Sequence, residues 1–316
     1  MTIEFGLKLP DHLDIVTFAR QAESMNVDYA FQGEHVFFHG PVSNSLIDLS
    51  FAAAATRRLK LLSSVTLIPL YPAVLLAKMV AALAVNSGGR FNLGVGVGGD
   101  FPAEFAACGV SMTGRGRATD AALDLMMGLW RGEPIGPFES SSGETRLSLD
   151  PLPPGRAIPI WVGGRSSATI DRAVRIGDWW MPYLYSLDKF RRDRTQLAAR
   201  SSEAARPCPK AALHAFAALG DTKREAISLA SRMLGTAYNM SFGAEMIERL
   251  CIVGSSSDCA EQIHRFMEAG AEAMCFNLLA DPDDYDRRME QLCAEVLPGL
   301  RAGQANPTGG SSGRER

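Results

Sequence analysis

The sequence predicts an α/β chain folded as a closed (β/α)8 TIM barrel with a short insertion after strand four. Three observations lead there. Short β-like runs alternate with amphipathic helical stretches nearly end to end, no break in composition separates two cores, and eight strand candidates are each followed by a helix. The 316 residues fit a single barrel, so residues 1–302 are read as one domain and 303–316, small and polar from Gly309 onward, as a disordered tail. An open doubly wound sheet is the alternative that the same alternation allows.

Ile3–Leu9 is the first strand, and His12–Met25 is a helix with Leu13, Val16, Phe18, Ala19 and Ala22 near one face. Tyr29–Gln32 is the second strand. Helix Ser45–Thr56, strand Leu59–Leu67, helix Ala73–Val85 and strand Arg90–Gly96 follow, then a helix around Arg117–Trp130. Gly132–Leu152, rich in Gly, Pro and Ser, breaks the rhythm and predicts an excursion or β-hairpin. Strands recur at Ile158–Val162, Asp178–Met181, Ala211–Leu219 and Ala273–Leu278. Between and after them stand helical stretches at Ser166–Ile176, Leu187–Ala205, Thr222–Leu234 with Glu245–Leu250, Asp258–Ala269 and Asp284–Val296.

Composition narrows the function. Apolar residues make up 47% and charged residues 21%, and no apolar run reaches the roughly 18 to 20 residues of a membrane span. The net charge of −3 supplies no field for nucleic acid or an anionic membrane, so the expected partner is a small molecule. Met1-Thr2-Ile3-Glu4-Phe5 carries neither the basic segment nor the apolar stretch of a secretory signal, which predicts a cytoplasmic location. Six scattered cysteines without a CxxC pair read as reduced thiols filling core space.

In a barrel the chemistry gathers at strand C-terminal ends. Strand two runs into Gly33-Glu34-His35, which sets a carboxylate beside an imidazole where the mouth would lie; a carboxylate neighbour holds an imidazole near neutral pH as acid or base. A hydrogen-bonded loop histidine is the plain alternative, and His35 with His39 and Glu34 could also imitate a metal cluster, although the other strand ends supply no further ligands. Gly94-Val95-Gly96-Val97-Gly98-Gly99 satisfies GxGxxG, with Asp120 downstream. A dinucleotide fingerprint, however, needs its helix to begin within the glycines and its acid at the next strand end; here Pro102 intervenes and Asp120 belongs to a helix. Those glycines instead let backbone approach a flat ring or a neighbouring strand. Strand five ends in Gly163-Gly164-Arg165-Ser166-Ser167 at a helix N-terminus, an anion site by its unpaired N–H groups, the dipole and the arginine fork; simple capping by Ser166 is the alternative. Ser63-Ser64 inside an apolar strand suggests a polar approach or a fit of small residues, and Trp179-Trp180 reads as packing.

The chain resembles the bacterial luciferase-like (flavin/deazaflavin-dependent) oxidoreductases, and within them the short branch assigned to coenzyme F420, over about Ile3 to Leu300. The resemblance rests on Ser64-Val65-Thr66-Leu67 with Tyr71-Pro72, on Ser87 to Gly96, on Glu104-Phe105 with Gly109-Val110 and Arg115-Gly116-Arg117, on Pro159 to Gly164, and on Gly177-Asp178-Trp179-Trp180. It implies a ring system at the mouth against strand three, with a non-prolyl cis peptide at Ser64–Val65 beneath it. It implies His35 beside the ring as proton donor or orienting group and Gly163, Gly164 and Arg165 at the phosphate; the residues themselves add Gly98 and Gly99 near the ring and Ser166 at the anion end. The chain has Glu34-His35 where Asp-His is common, and Asn86-Ser87 where Leu-Ser is common.

The expected function is hydride transfer between reduced coenzyme F420 and a small organic substrate, with Glu34 and His35 as the catalytic pair and His35 managing the proton. The rival within the fold is an FMN-dependent monooxygenase of a two-component system, fed by a separate reductase. Two further readings are a non-catalytic flavin-binding relative and a barrel hydrolase with metal at Glu34, His35 and His39. The resemblance also implies a homo-oligomer, commonly a dimer.

Overall fold

The computed structural model describes residues 3–11, 14–141 and 143–304; of the tail expected over 303–316, residues 303 and 304 belong to the last helix and 305–316 lie outside the described residues, as do the first residues of the expected helix at 12. The chain runs β1 (Glu4–Lys8), α1 (Ile15–Ser24), β2 (Tyr29–Gln32), α2 (Ser45–Ala55), β3 (Lys60–Ser63), β4 (Thr66–Leu67), α3 (Ala73–Asn86), β5 (Phe91–Gly96), α4 (Pro102–Ala107) and α5 (Arg115–Arg131). It continues β6 (Ile135–Ser140), β7 (Gly143–Leu147), β8 (Ile160–Gly163), α6 (Ser167–Ile176), β9 (Trp179–Met181), α7 (Leu187–Glu203) and β10 (Lys210–Leu219). The last part is α8 (Lys223–Tyr238), α9 (Ala244–Leu250), β11 (Ile252–Gly254), α10 (Ser256–Glu268), β12 (Ala273–Leu278), α11 (Tyr285–Gln291) and α12 (Leu297–Gln304).

The strands pair in parallel in the order β1, β2, β3, β5, β8, β9, β10 and β12, and β12 returns to β1, closing an eight-stranded barrel among the described residues. The expected insertion is the antiparallel hairpin of β6 and β7. Side chains alternate across each strand. One set points inward, where Tyr29, Phe31, Leu62, Trp161, Met181 and Cys275 form an interior cluster; the other, with Ala30, Leu61, Leu93, Val162 and Met274, packs on the helices. Trp179 stacks on Trp161 at 4.3 Å and Trp180 on Phe190 at 5.4 Å, so the tryptophan pair is packing. Helix starts are capped by local side chains: Asp14 accepts from the N–H groups of Val16 and Thr17, and Ser255 with Asp258 forms a capping box.

Three departures from the expected elements bear on the mouth. The third strand, expected unbroken over Leu59–Leu67, stops at Ser63 and resumes at Thr66, with a cis peptide between Ser64 and Val65. A six-residue helix, α4, opens at Pro102, where proline fits because the first helical N–H needs no partner. A short extra strand, β11, pairs in parallel with the far end of β10, which is therefore ten residues long.

Candidate active site

Sites are built from local constraints, and here the glycines set the first. A Cβ on Gly94 would stand 1.8 Å from the Ser63 carbonyl oxygen, one on Gly96 would meet Val65 Cγ2 at 2.4 Å, and one on Gly163 would meet Val65 Cγ1 at 2.6 Å. The glycines of β5 and β8 thus make the space into which the Ser64–Val65 segment swells, and Val65 is held between two strands at the cavity edge. The two serines are satisfied within the protein. Ser63 Oγ donates to the Gly94 carbonyl at 3.2 Å and accepts the Gly94 N–H at 3.0 Å, and Ser64 Oγ lies 3.0 Å from His214 Nδ1.

A cavity of about 700 Å3 opens at the C-terminal mouth, inside the range of small-molecule sites. Glu34, His35, Ser64, Val65, Gly98, Gly163, Gly164, Arg165 and Ser166 all border it. Gly99 stands behind Gly98, with φ at 125° and the Arg115 guanidinium 2.9 Å from where its Cβ would be. Gly98 makes room for the Phe105 ring. Within the GxGxxG stretch, Gly94 and Gly96 give room to Ser63 and Val65, while Gly96, Val97 and Gly98 border the cavity; Asp120 lies on α5 bonded to Arg172 and Arg175.

The expected pairing of Glu34 with His35 is corrected. The carboxylate on His35 is that of Glu104, fully buried, with its oxygens 3.0 and 3.2 Å from Nδ1; it also accepts the Val36 N–H at 3.1 Å. Neighbouring residues of an extended segment face opposite ways, so Glu34 turns from the imidazole. It accepts from Ser45 Oγ at 2.7 Å and from the Leu67 N–H at 3.0 Å, tying β2 to α2 and β4. Burial pushes the Glu34 carboxyl up, opposed by hydrogen bonds from Ser45, Leu67 and Tyr71. His35 is also stacked on Phe38 at 4.2 Å. His39 packs edge-on against Phe101, and among the described residues no group of three His, Cys, Asp or Glu side chains is placed to hold a metal ion.

The anion end has more donors than expected. Ser166 stands at the N-cap of α6, but its hydroxyl lies 3.1 Å from Thr169 Oγ1 and does not bond the backbone of the first turn. Arg165 lies over the Tyr183 ring at 4.7 Å, and Tyr183 donates to Asp100 at 2.9 Å. Arg115, bound to the carbonyls of Gly98 and Met112, also borders the cavity.

His214 was not singled out from the sequence, and Glu104 and Arg115, which help carry the family resemblance, were given no role at the site. His214 had a visible signal, as the one polar side chain in the run Ala211–Leu219, sharing the inward face with Ala212 and Phe216. Its ring packs against Phe31 and Phe216, and its Nε2 is buried without a hydrogen-bond partner in the described structure. Burial, with the Lys8 charge, pushes the imidazole down to about 4 from 6.5. The unfolded chain therefore takes up a proton between those values that the fold refuses, and stability falls as pH drops through that window, by about 3 kcal/mol. The thermal midpoint of the wild type is expected to fall from pH 6.5 to 4 more steeply than that of His214→Gln. Equal slopes would remove His214 as the source.

Comparison with known proteins gives consistent results. The model of a family described as luciferase-like monooxygenase matches residues 8–241. An uncharacterized protein of Mycobacterium tuberculosis is 29% identical over 173 residues, covering 52% of this chain; the match spans 57% of that relative's length. Among solved structures, an F420-dependent secondary alcohol dehydrogenase in complex with an F420-acetone adduct superposes with a TM-score of 0.79 at 18% identity, over 95% of this chain and 99% of that one. The oxygenating constituent of 3,6-diketocamphane monooxygenase from Pseudomonas putida, in complex with FMN, superposes with a TM-score of 0.74 at 19% identity, over 94% and 98%. At such identities the structural likeness establishes the barrel fold.

Proposed function

The chain belongs to the luciferase-like monooxygenase family, and on that premise we propose that it is an oxidoreductase that uses reduced coenzyme F420 for hydride transfer to or from a small organic substrate, with His35 as proton donor or acceptor. The observation that carries this reading is the convergence of three parts on one cavity: the apolar Val65 seat, the Gly163-to-Ser166 turn into α6, and the His35–Glu104 pair. The residues fit a tricyclic ring with a phosphate tail. Among the described residues neither Arg115 nor Arg165 is in an ion pair, so two cations with free donor capacity border the cavity, Arg165 next to the α6 N-terminus and Arg115 beside Gly98.

Bound there, a reduced deazaflavin supplies hydride from a ring carbon, whereas a reduced flavin in the same seat supports reaction with oxygen. The chain's own groups do the rest. With Nδ1 donating to Glu104, the second ring nitrogen of His35 is the position that gives or takes the compensating proton. Phe38, stacked on the imidazole, fixes its plane and limits water around it. Glu34 acts as a positioning residue, holding the end of β2 against α2 and β4. This reading also carries a second copy of the chain and a separate cofactor reductase as partners, and a cytoplasmic setting.

Titration of the purified protein with reduced F420 and reduced FMN, with and without oxygen, tests it. F420 is expected to bind. Arg165→Ala is expected to weaken that binding about tenfold, on the order of 1.4 kcal/mol, and to lower its salt dependence. Binding of FMN alone, with oxygen consumed in turnover, would replace this reading by the FMN-dependent monooxygenase.

A further inference from the structure

The connection from β10 to β12 holds three helices and a strand where a barrel unit needs one helix. Its Leu234, Phe242, Ile247 and Val253 form a second apolar cluster together with Phe216 of β10 and Leu279 after β12, next to the part of β10 that pairs with β11. That support holds α8 across the mouth. Met233, Leu234, Ala237 and Tyr238, at positions i, i+1, i+4 and i+5 of α8, fall on one helical face and border the cavity. Phe38 and Phe216 complete the wall: Tyr238 meets Phe38 edge-on at 5.9 Å and Phe216 at 6.3 Å, so rings run without interruption from His35 to His214.

Charge is distributed the other way. Lys8 is paired with Asp11 at 2.8 Å, Asp100 accepts from Tyr183, and Glu34 is engaged by Ser45 and Leu67. Among the described residues that border the cavity, the cations outside ion pairs are Arg115, bound to the Gly98 and Met112 carbonyls, and Arg165 at the anion end, which together with Asp100 also acts on Tyr238. With the cofactor's anionic tail on Arg165 and Arg115 and Asp100 engaged by Tyr183, a charged substrate would lose its hydration on the α8 wall without gaining a partner, whereas a ring-sized apolar body gains the whole face.

We propose that this wall is the substrate subsite, and that it takes an uncharged, ring-sized apolar carbonyl compound, or the matching secondary alcohol, with its single oxygen directed to His35. The inference rests on the hydride-transfer reading above. In the reducing direction the carbonyl carbon gains a C–H bond by accepting hydride from the reduced deazaflavin, which is oxidised as its own C–H bond breaks. The C=O π bond opens onto oxygen, and the oxygen takes a proton from His35, giving the secondary alcohol.

The test measures dissociation constants by nuclear magnetic resonance titration for three probes, cyclohexanone, acetone and pyruvate, on the protein alone and on the protein saturated with F420 or FMN. Cyclohexanone is expected to bind at least tenfold more tightly than either other probe. Ala237→Trp, which fills the wall, should weaken cyclohexanone binding at least tenfold and leave cofactor affinity within twofold. Met233→Ala, which opens the wall and adds no bulk, should shift preference toward cyclooctanone, so the inference stays testable if the tryptophan variant misfolds. Acetone or pyruvate binding as tightly as cyclohexanone, or cyclohexanone indifferent to both substitutions, overturns the subsite. Failure of both cofactors to bind overturns the hydride-transfer reading instead, and probe binding to the protein alone still reports on the wall.

Discussion

His35→Ala is expected to lower turnover about 10²- to 10⁴-fold, the usual span for loss of a positioned acid or base, with cofactor affinity changed no more than a few-fold. The asymmetry follows from where the imidazole is anchored. Glu104 is fully buried and binds both His35 Nδ1 and the Val36 N–H, so the pair is fixed from the protein side and acts on a proton, while the anion end holds the cofactor separately. Glu104→Gln offers one acceptor oxygen where two donors converge, and an amide N–H where a carboxylate stood. Turnover should fall with it also, because the imidazole loses the carboxylate that orients it. Single-turnover oxidation of prebound reduced cofactor, followed by absorbance, separates this step from binding and release. A His35→Ala protein with an undiminished single-turnover rate would remove the imidazole from the chemistry.

Gly94→Ala carries the largest expected effect on stability. Its added methyl would stand 1.8 Å from the Ser63 carbonyl oxygen, a backbone atom with no rotamer to change, so β3 and β5 must separate at the point where Ser63 bridges them. A loss of about 3 kcal/mol is expected, at the upper end for overpacking, read as a lower thermal midpoint and a lower denaturant midpoint. Gly163→Ala differs in kind, because the atom it meets is Val65 Cγ1 at 2.6 Å. A second change, Val65→Ala, removes that atom, so the double variant should recover much of what the single one loses. Additive losses would show that the clash is not what makes Gly163 necessary.

Much of the barrel was legible because its strands are short apolar runs between turn signals. Tyr29–Gln32 and Ala273–Leu278 appear with the expected bounds, and β10 differs by one residue. Ile252–Gly254 was not, since three residues between two helices carry no period that a strand could be read from. At the site, the mouth residues were legible by address, at the ends of strands. Their partners were not. Glu104 acts on His35 across 69 residues and His214 on Ser64 across 150, and nothing local in a sequence encodes a hydrogen bond at that separation. The adjacent Glu34 was the natural choice and fails for the alternation that makes strands recognisable in the first place.

The long excursion between β10 and β12 leaves the barrel at Gly220 and comes back at Gly254, and the Gly220 N–H donates to the Gly254 carbonyl at 3.0 Å. Its two ends are thus neighbours, and both are glycines at the rim. A stretch of chain with adjoining ends, packed on the barrel through Leu184, Phe216, Ala218 and Leu279, has the form of a graft: exchanging residues 221–253 for the equivalent stretch of another barrel is expected to change which molecules are accepted while the His35–Glu104 pair and the anion end stay in place, provided those four contacts are kept.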